Sequence, residues 1–271
     1  MRGDAQKQCI KYCGKCMHIF GPFSIMLGSL VLPLFHIILE AFFYASASPE
    51  DKNSALLYML IVEGIFSTIC LAFLYRSLLM ASCNDPGATE LQLERLTLQF
   101  SQEFIDSFPK CPKCNLPKPP RAHHCSICNK CHLRMDHHCP AVGNCVAFRN
   151  HQPFLVMLNW GIISCFLFTI YTIIFGIVEK GIFRYFTFAF SASSLLVGCF
   201  LCYFFCDQMK NVSRNVTTLE EFIEDDQDKY DLGRTENIRQ MFGDGKLRFF
   251  LPRLSDMTGF EWALPKYQSQ V

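Results

Sequence analysis

Cys111, Cys114, His124 and Cys131 present three thiols and an imidazole in the pattern Cys-x2-Cys-x9-His-x6-Cys. The pattern recurs fourteen residues later as Cys125, Cys128, His138 and Cys145. Each unit is a complete tetrahedral ligand set for zinc. The units interleave, because Cys125 and Cys128 precede Cys131. Two metals threaded in this way would knit a short segment together where a hydrophobic core is lacking. Adding fourteen to Cys125 reaches Cys139, but the partner cysteine that a third unit would need is replaced by Val142. Cys139 is therefore a thiol without a metal to bind.

The same alignment identifies its neighbours. The first unit carries Ala122-His123-His124-Cys125 and the second carries Asp136-His137-His138-Cys139. His138 belongs to a metal set and His137 does not, while the residue before it has changed from alanine to aspartate. Carboxylate, imidazole and thiol form the set that nucleophilic catalysis requires. The imidazole draws the proton from sulfur, and the carboxylate fixes the tautomer and stabilises the imidazolium. A neighbouring imidazolium favours the thiolate over the thiol.

These residues need elements to hold them. Of 271 residues, 51% are in the hydrophobic class and 18% are charged, the balance of a membrane protein. Four stretches, 19–44, 55–80, 153–178 and 186–206, are apolar over at least the roughly 20 residues that cross a bilayer. The expected fold is an all-α integral membrane protein with four transmembrane helices and a cysteine-rich domain binding two zinc ions between helices 2 and 3. Its parts are an N-terminal tail (1–18), helices 1 and 2 (19–80), a loop (81–152) with the zinc core at 111–150, helices 3 and 4 (153–206) and a C-terminal tail (207–271). Lys7, Lys11 and Lys15 lie before the first span, and eight Lys and Arg residues from Arg95 to Arg149 lie between the second and third. The positive-inside rule then puts both termini and the zinc domain in the cytosol. Reduced thiols agree with that compartment. The opening residues lack the pattern of a cleavable signal peptide, and the CxxC pairs have zinc rather than disulfide-scaffold spacing.

Between spans two and three, Asp85-Pro86-Gly87 reads as a turn. Residues 89–108 read as one helix whose apolar face includes Leu91, Leu96, Leu98, Phe104 and Ile105, laid on the membrane or on the zinc domain. Thr217-Thr218-Leu219-Glu220 reads as a helix-capping box. Cys9, Cys13 and Cys16 read as cytosolic thiols open to acylation. Gly161 and Ser164 in the third span mark either a close helix contact or room for an acyl chain.

Taken together, Cys111-x2-Cys114-x9-His124-Cys125-x2-Cys128-x2-Cys131, Asp136-His137-His138-Cys139-Pro140, Cys145 and Asn150 resemble the DHHC family of protein S-acyltransferases, the palmitoyltransferases. Asp85-Pro86-Gly87 corresponds to that family's DPG turn and Thr217-Thr218-Leu219-Glu220 to its TTxE motif. Asn237 with Phe242-Gly243 resembles an asparagine-containing motif of its C-terminal tail. The resemblance implies a two-step transfer of a long-chain acyl group, usually from palmitoyl-CoA, to cysteines of target proteins. Cys139 would carry the acyl group, His137 would act as base and Asp136 would orient it. Thr218 and Asn237 would be supporting residues, and two zinc ions would be structural. Arg121, Lys130, Arg134 and Arg149 become candidates for the CoA phosphates, each of them otherwise a solvated or lipid-facing charge. The implied partners are cytosol-facing proteins with membrane-proximal cysteines, acyl-CoA and the bilayer. The implied location is an endomembrane, Golgi or endoplasmic reticulum first, then the plasma membrane.

One position departs from the family. The tryptophan usual after Asp-His-His-Cys-Pro is Ala141 here, and Gly143 is also unusual. The rival reading is a non-catalytic membrane-anchored zinc adaptor, whose signature would be loss of Asp136, His137 or Cys139; all three are present. Nucleic-acid binding is disfavoured by a net charge of only +1 and by spans that hold the zinc segment at the bilayer.

Overall fold

A computed structural model describes residues 54–98, 100–178, 181–223, 229–257 and 259, together with Ile38 and Ala41, both helical. Apart from Ile38 and Ala41, the expected first span lies outside the described residues, as do Cys9, Cys13 and Cys16. Three long helices carry the apolar stretches: α1 (Ser54–Cys83), α4 (His151–Val178) and α5 (Phe183–Ser213). By length and composition each contains a segment able to cross a membrane, Leu60–Cys83, His151–Val178 and Arg184–Ser213. Isoleucines such as Ile65, Ile69, Ile170, Ile174 and Ile177 are exposed on α1 and α4, the surface expected of helices solvated by lipid. α5 runs seven residues beyond the expected end of the fourth span.

The chain forms two compact units, one holding Ser24–Arg76 with Met157–Phe205 and the other Ser77–Val156 with Cys206–Val271. In the first, Phe73 stacks on Trp160 with centroids 4.8 Å apart, and Ser194 Oγ donates to the Cys165 carbonyl at 3.0 Å. A Cβ at Gly161 would lie 3.2 Å from a Leu201 methyl. The glycine thus serves close helix packing, and Ser164 Oγ turns back onto the Trp160 carbonyl at 2.8 Å.

The second unit holds two β-hairpins. β1 (His123–Cys125) pairs antiparallel with β2 (Lys130–His132), and β3 (His137–Cys139) with β4 (Asn144–Val146). Shifting β1 and β2 by fourteen residues gives β3 and β4, partner for partner, so the sequence repeat is also a structural one. The turn positions obey the same shift, with φ of 55° at Asn115, 55° at Asn129 and 63° at Gly143. Cys125, Met135 and Cys145 form one apolar cluster, with Ile127 against them.

The turn at 85–87 joins this module to α1. Asp85 accepts the Ala88 amide at 3.0 Å, Pro86 O accepts from Arg149 N and Gly87 O from Leu133 N. Gly87 has φ 113°, and a Cβ there would fall 2.1 Å from the Phe148 ring, so no other residue fits. The single helix expected over 89–108 is two: α2 (Thr89–Leu96) and α3 (Gln102–Asp106). Ser101 starts the second by accepting the Phe104 amide, and an N-cap of that strength interrupts the first. Leu96 and Ile105 are buried, while Leu91 and Leu98 are exposed. The tail adds α6 (Thr218–Ile223) and α7 (Arg234–Phe242).

Candidate active site and metal centres

Strand alternation sorts the chemistry. Residues two apart in a strand share a face and adjacent ones oppose. In β3, His138 points one way and lies across from Cys145, while His137 and Cys139 point the other way. In β1, His124 lies across from Cys131, while Cys125 turns away toward the second set. The period of two thus passes the cysteine that ends each hairpin's first strand to the next site along, and Cys139 is passed to a site with no metal set.

Cys111, Cys114, His124 and Cys131 converge, as do Cys125, Cys128, His138 and Cys145, with ligand atoms in each set within 4.8 Å of one another. In the first set His124 Nδ1 is 3.5–3.8 Å from the three sulfurs, and in the second His138 Nδ1 is 3.5–3.7 Å from its three. Sulfurs approach to 3.3 and 3.4 Å. Bonds of about 2.3 Å to sulfur and about 2.0 Å to nitrogen separate tetrahedral zinc ligands by roughly 3.5–3.8 Å. Donor types and spacings therefore fit a metal ion such as zinc in both sets.

On the opposite face of β3, His137 Nδ1 donates to Asp136 Oδ2 at 2.6 Å, leaving Nε2 as the ring nitrogen available to the Cys139 thiol, two residues along on the same strand face. Phe154 meets the ring edge-on at 5.3 Å. Asp136 is buried. Its Oδ1 accepts the Thr218 amide at 2.8 Å and its Oδ2 the Thr218 hydroxyl at 3.0 Å, and Gln208 donates to that hydroxyl in turn. Burial works against the Asp136 charge, but His151, His137 and the Thr218 amide hold its carboxyl well below the usual range. Burial also works against charge on His137, yet the hydrogen bonds and charges of Asp136 and Cys139 push it up to about 9. For Cys139 the burial penalty is outweighed by His137 and by the Val142 and Ala141 amides, which lower it. Carboxylate, imidazolium and thiolate support one another, with Asp136 and Cys139 buried and the His137 side chain 24% exposed.

Thr217 and Glu220 make the reciprocal capping box: Glu220 N donates to Thr217 Oγ1 and Thr217 N to Glu220 Oε2. The Glu220 carboxylate does more, accepting Arg121 Nε and Nη2 at 2.7 Å each. Arg121 also donates to the Asn215 side chain and carbonyl and lies under the Tyr230 ring. Arg134 donates to Asn215 Oδ1 and to His151 Nδ1. Burial, and after it Arg121, lower Arg134 to about 9, still charged at neutral pH. Arg121 and Arg134 are 3% and 1% exposed, so two of the four candidate phosphate ligands are interior residues bracing the tail. Lys130 is exposed and Arg149 half-buried. Asn237 does not touch the Asp136 cluster; it ties the Ser213 carbonyl, Asp231 and Leu232 together within the tail.

Two features escaped sequence reasoning, the contacts of Asn144 and of Gln152, while Asn150 was singled out only as part of the family pattern and without a role. Asn144 Nδ2 donates to the Ala81, Ser82 and Asn84 carbonyls at the end of α1. Asn150 holds Ala81 and Cys145 carbonyls together. Gln152 clasps the tail by donating to the Arg248 and Leu251 carbonyls and accepting the Arg253 amide. Asparagine and glutamine bonding distant backbone carry no periodicity or spacing to read. For Arg121 a signal existed, since a glutamate engaged in a cap and then buried demands a cation.

Residues 105–225 match the model of the DHHC palmitoyltransferase family. The chain is 37% identical to human palmitoyltransferase ZDHHC2 over 171 residues, 58% of this chain and 46% of that protein. It is 35% identical to human palmitoyltransferase ZDHHC15 over 158 residues, 52% of this chain and again 46% of that protein. The chain thus spans about half the length of these two relatives. A probable protein S-acyltransferase 13 of Arabidopsis thaliana is 30% identical over 226 residues, 70% of this chain and 74% of that protein.

Proposed function

Since the chain belongs to the DHHC palmitoyltransferase family, we propose that it transfers a long-chain acyl group from acyl-CoA to cysteine thiols of target proteins through a thioester on Cys139. The observation that carries this reading is the line Asp136–His137–Cys139 on the metal-free face of β3, with Asp136 braced by Thr218.

His137 takes the Cys139 proton, and the thiolate attacks the thioester carbonyl. CoA thiolate departs and is protonated, leaving the acyl group on Cys139. A substrate thiol then attacks the enzyme thioester with His137 again moving the proton. Asp136 keeps the imidazole in the working tautomer, and Thr218 keeps Asp136 in place. Thr218 is the nearer support, while Asn237 acts on the tail's fold. The eight cysteine and histidine ligands hold two structural zinc ions, which cross-link the hairpins when bound. Palmitoyl-CoA is the donor, and its chain gains about 0.8 kcal/mol for each methylene taken from water.

In this reading a fourth span precedes the three long helices, both termini and the zinc module face the cytosol, and the host membrane is Golgi, endoplasmic reticulum or plasma membrane. The distribution of Lys and Arg between the apolar stretches supports that orientation. Targets are proteins presenting a membrane-proximal cysteine at the cytosolic face. The test is transfer from labelled palmitoyl-CoA to such a cysteine on a lipid-anchored peptide in vesicles containing the protein. Label reaching the peptide, and absent from its serine version, supports the reading; label on neither protein nor peptide contradicts it.

A further inference from the structure

The fourteen-residue repeat extends one step past the metals. In the second set, Cys125-Ser126-Ile127-Cys128-Asn129 forms a knuckle in which the Cys128 amide donates to Cys125 Sγ at 3.4 Å, and the turn closes at Asn129 with φ 55°. Shifted by fourteen, the segment is Cys139-Pro140-Ala141-Val142-Gly143. Its turn closes at Gly143 with φ 63°, Cys139 pairs with Asn144 as Cys125 pairs with Lys130, and Gly143 N donates to Pro140 O at 3.2 Å. By the same shift Val142 N takes the place of Cys128 N and Ala141 N that of Ile127 N, the positions from which knuckle amides face a thiolate, and both amides act to lower the Cys139 thiol. Val142 is fully buried and brings no second thiol. The chain has kept the backbone of a zinc knuckle and dropped its metal.

We propose that the backbone N–H groups of Ala141 and Val142 are the oxyanion donors for acyl transfer at Cys139. The inference rests on the acyl-transfer reading above. When the Cys139 thiolate attacks, the new carbon–sulfur bond forms as the carbonyl π pair moves onto oxygen. The charge leaves sulfur and appears on an atom two bonds away, beside the amides that occupy the knuckle positions of the turn. As the oxyanion collapses, the bond to the donor sulfur breaks and that thiolate takes the proton held by His137. Donors fixed in a tight turn need no reorganisation as the charge migrates, the property that makes an oxyanion site effective. The knuckle accounts for both states, because the two N–H groups face negative charge on sulfur first and on oxygen next. The assignment uses main-chain atoms, so the alanine at 141 does not weaken it.

The test replaces the Val142 amide by an ester, through incorporation of the α-hydroxy analogue of valine in the full chain, with two zinc ions per chain required of every sample. Two rates are read at Cys139: acylation by palmitoyl-CoA, which passes through an oxyanion, and alkylation by iodoacetamide, which does not. The expected result is a fall in acylation on the order of 10²–10³ with alkylation changed severalfold at most. Equal falls in both rates, or no fall in acylation, overturn the assignment. If unmodified protein alkylates at Cys139 but accepts no acyl group, the acyl-transfer reading itself fails and the assignment with it. A second pair checks the turn: Gly143→Asn, which tolerates positive φ as Asn115 and Asn129 do, keeps the acylation rate. Gly143→Val, which resists positive φ, lowers acylation more than alkylation. A Gly143→Val protein with both zincs and full acylation counts against it.

Discussion

His123 and His137 occupy the same position in two superposable hairpins, yet their surroundings drive them to opposite states. At His123, burial and then Lys118 push the imidazole down to about 4; at His137, Asp136 and Cys139 overcome burial and push it up to about 9. The strands, the pairing and the neighbouring metal histidine are common to both. Two of the changes between them bear on the thiol: alanine becomes aspartate before the histidine, and Val142 takes the place of a cysteine that would claim the next thiol for metal. A metal module becomes a reactive one by changing partners while its backbone stays as it was.

The comparison can be broken from either side. Removing the shared scaffold gives the largest effect. Cys128→Ser or strong chelation takes away a ligand set, and structural zinc in small modules contributes about 10–16 kcal/mol to folding. The expected outcome is loss of metal by elemental analysis, with exchange protection lost across 123–146 and acylation abolished. Asp136→Ala gives the second hairpin the residue of the first. Acylation should fall on the order of 10²–10⁴ while two zincs per chain remain, a split that a folding defect would not produce.

Bracing comes next. Arg121→Ala leaves the Glu220 carboxylate buried without its bidentate partner, and breaking a buried pair from one side costs about 3–5 kcal/mol, read as a lower unfolding temperature. The same pair sets an acid limit. Burial opposes the Glu220 charge, but Arg121 holds its folded value below the usual carboxylate range. Its contribution is therefore complete above about pH 4.3 and is lost as pH falls through the lowered value. Arg121→Ala should flatten that part of the stability–pH curve. The smallest effects lie at paired positions across from the two cysteines. Asn144→Ala removes three carbonyl contacts at the end of α1 and should cost about 1–3 kcal/mol. Lys130→Ala, at an exposed side chain, should stay within about 0.5 kcal/mol.

The reactive half of this comparison was legible from residue types because metals and nucleophiles restrict which side chains serve and at what spacing. Cys111 through Cys145 announce two ligand sets, and the Ala122-to-Asp136 change stands out once the repeat is aligned. The apolar stretches of α1, α4 and α5 were equally visible, since a bilayer enforces length and composition. What was not legible lies in single long-range contacts. Arg121 and Glu220 are 99 residues apart, and Arg121 read as a solvated charge or as one of four candidates for a phosphate. The split of 89–108 into α2 and α3 turned on one serine cap in a stretch whose apolar residues run through the break. Gln152 reads as one polar residue at the head of a span, with nothing to mark the tail it clasps.

The central claim is that Cys139, alone among the module's cysteines, is the acyl carrier. Purified protein in detergent, incubated with a labelled palmitoyl-CoA analogue, is compared with Cys139→Ala at matched zinc content. Hydroxylamine-sensitive label on the wild type and none on the variant is the predicted result. Equal label on both proteins, or none on either with two zincs bound, contradicts it.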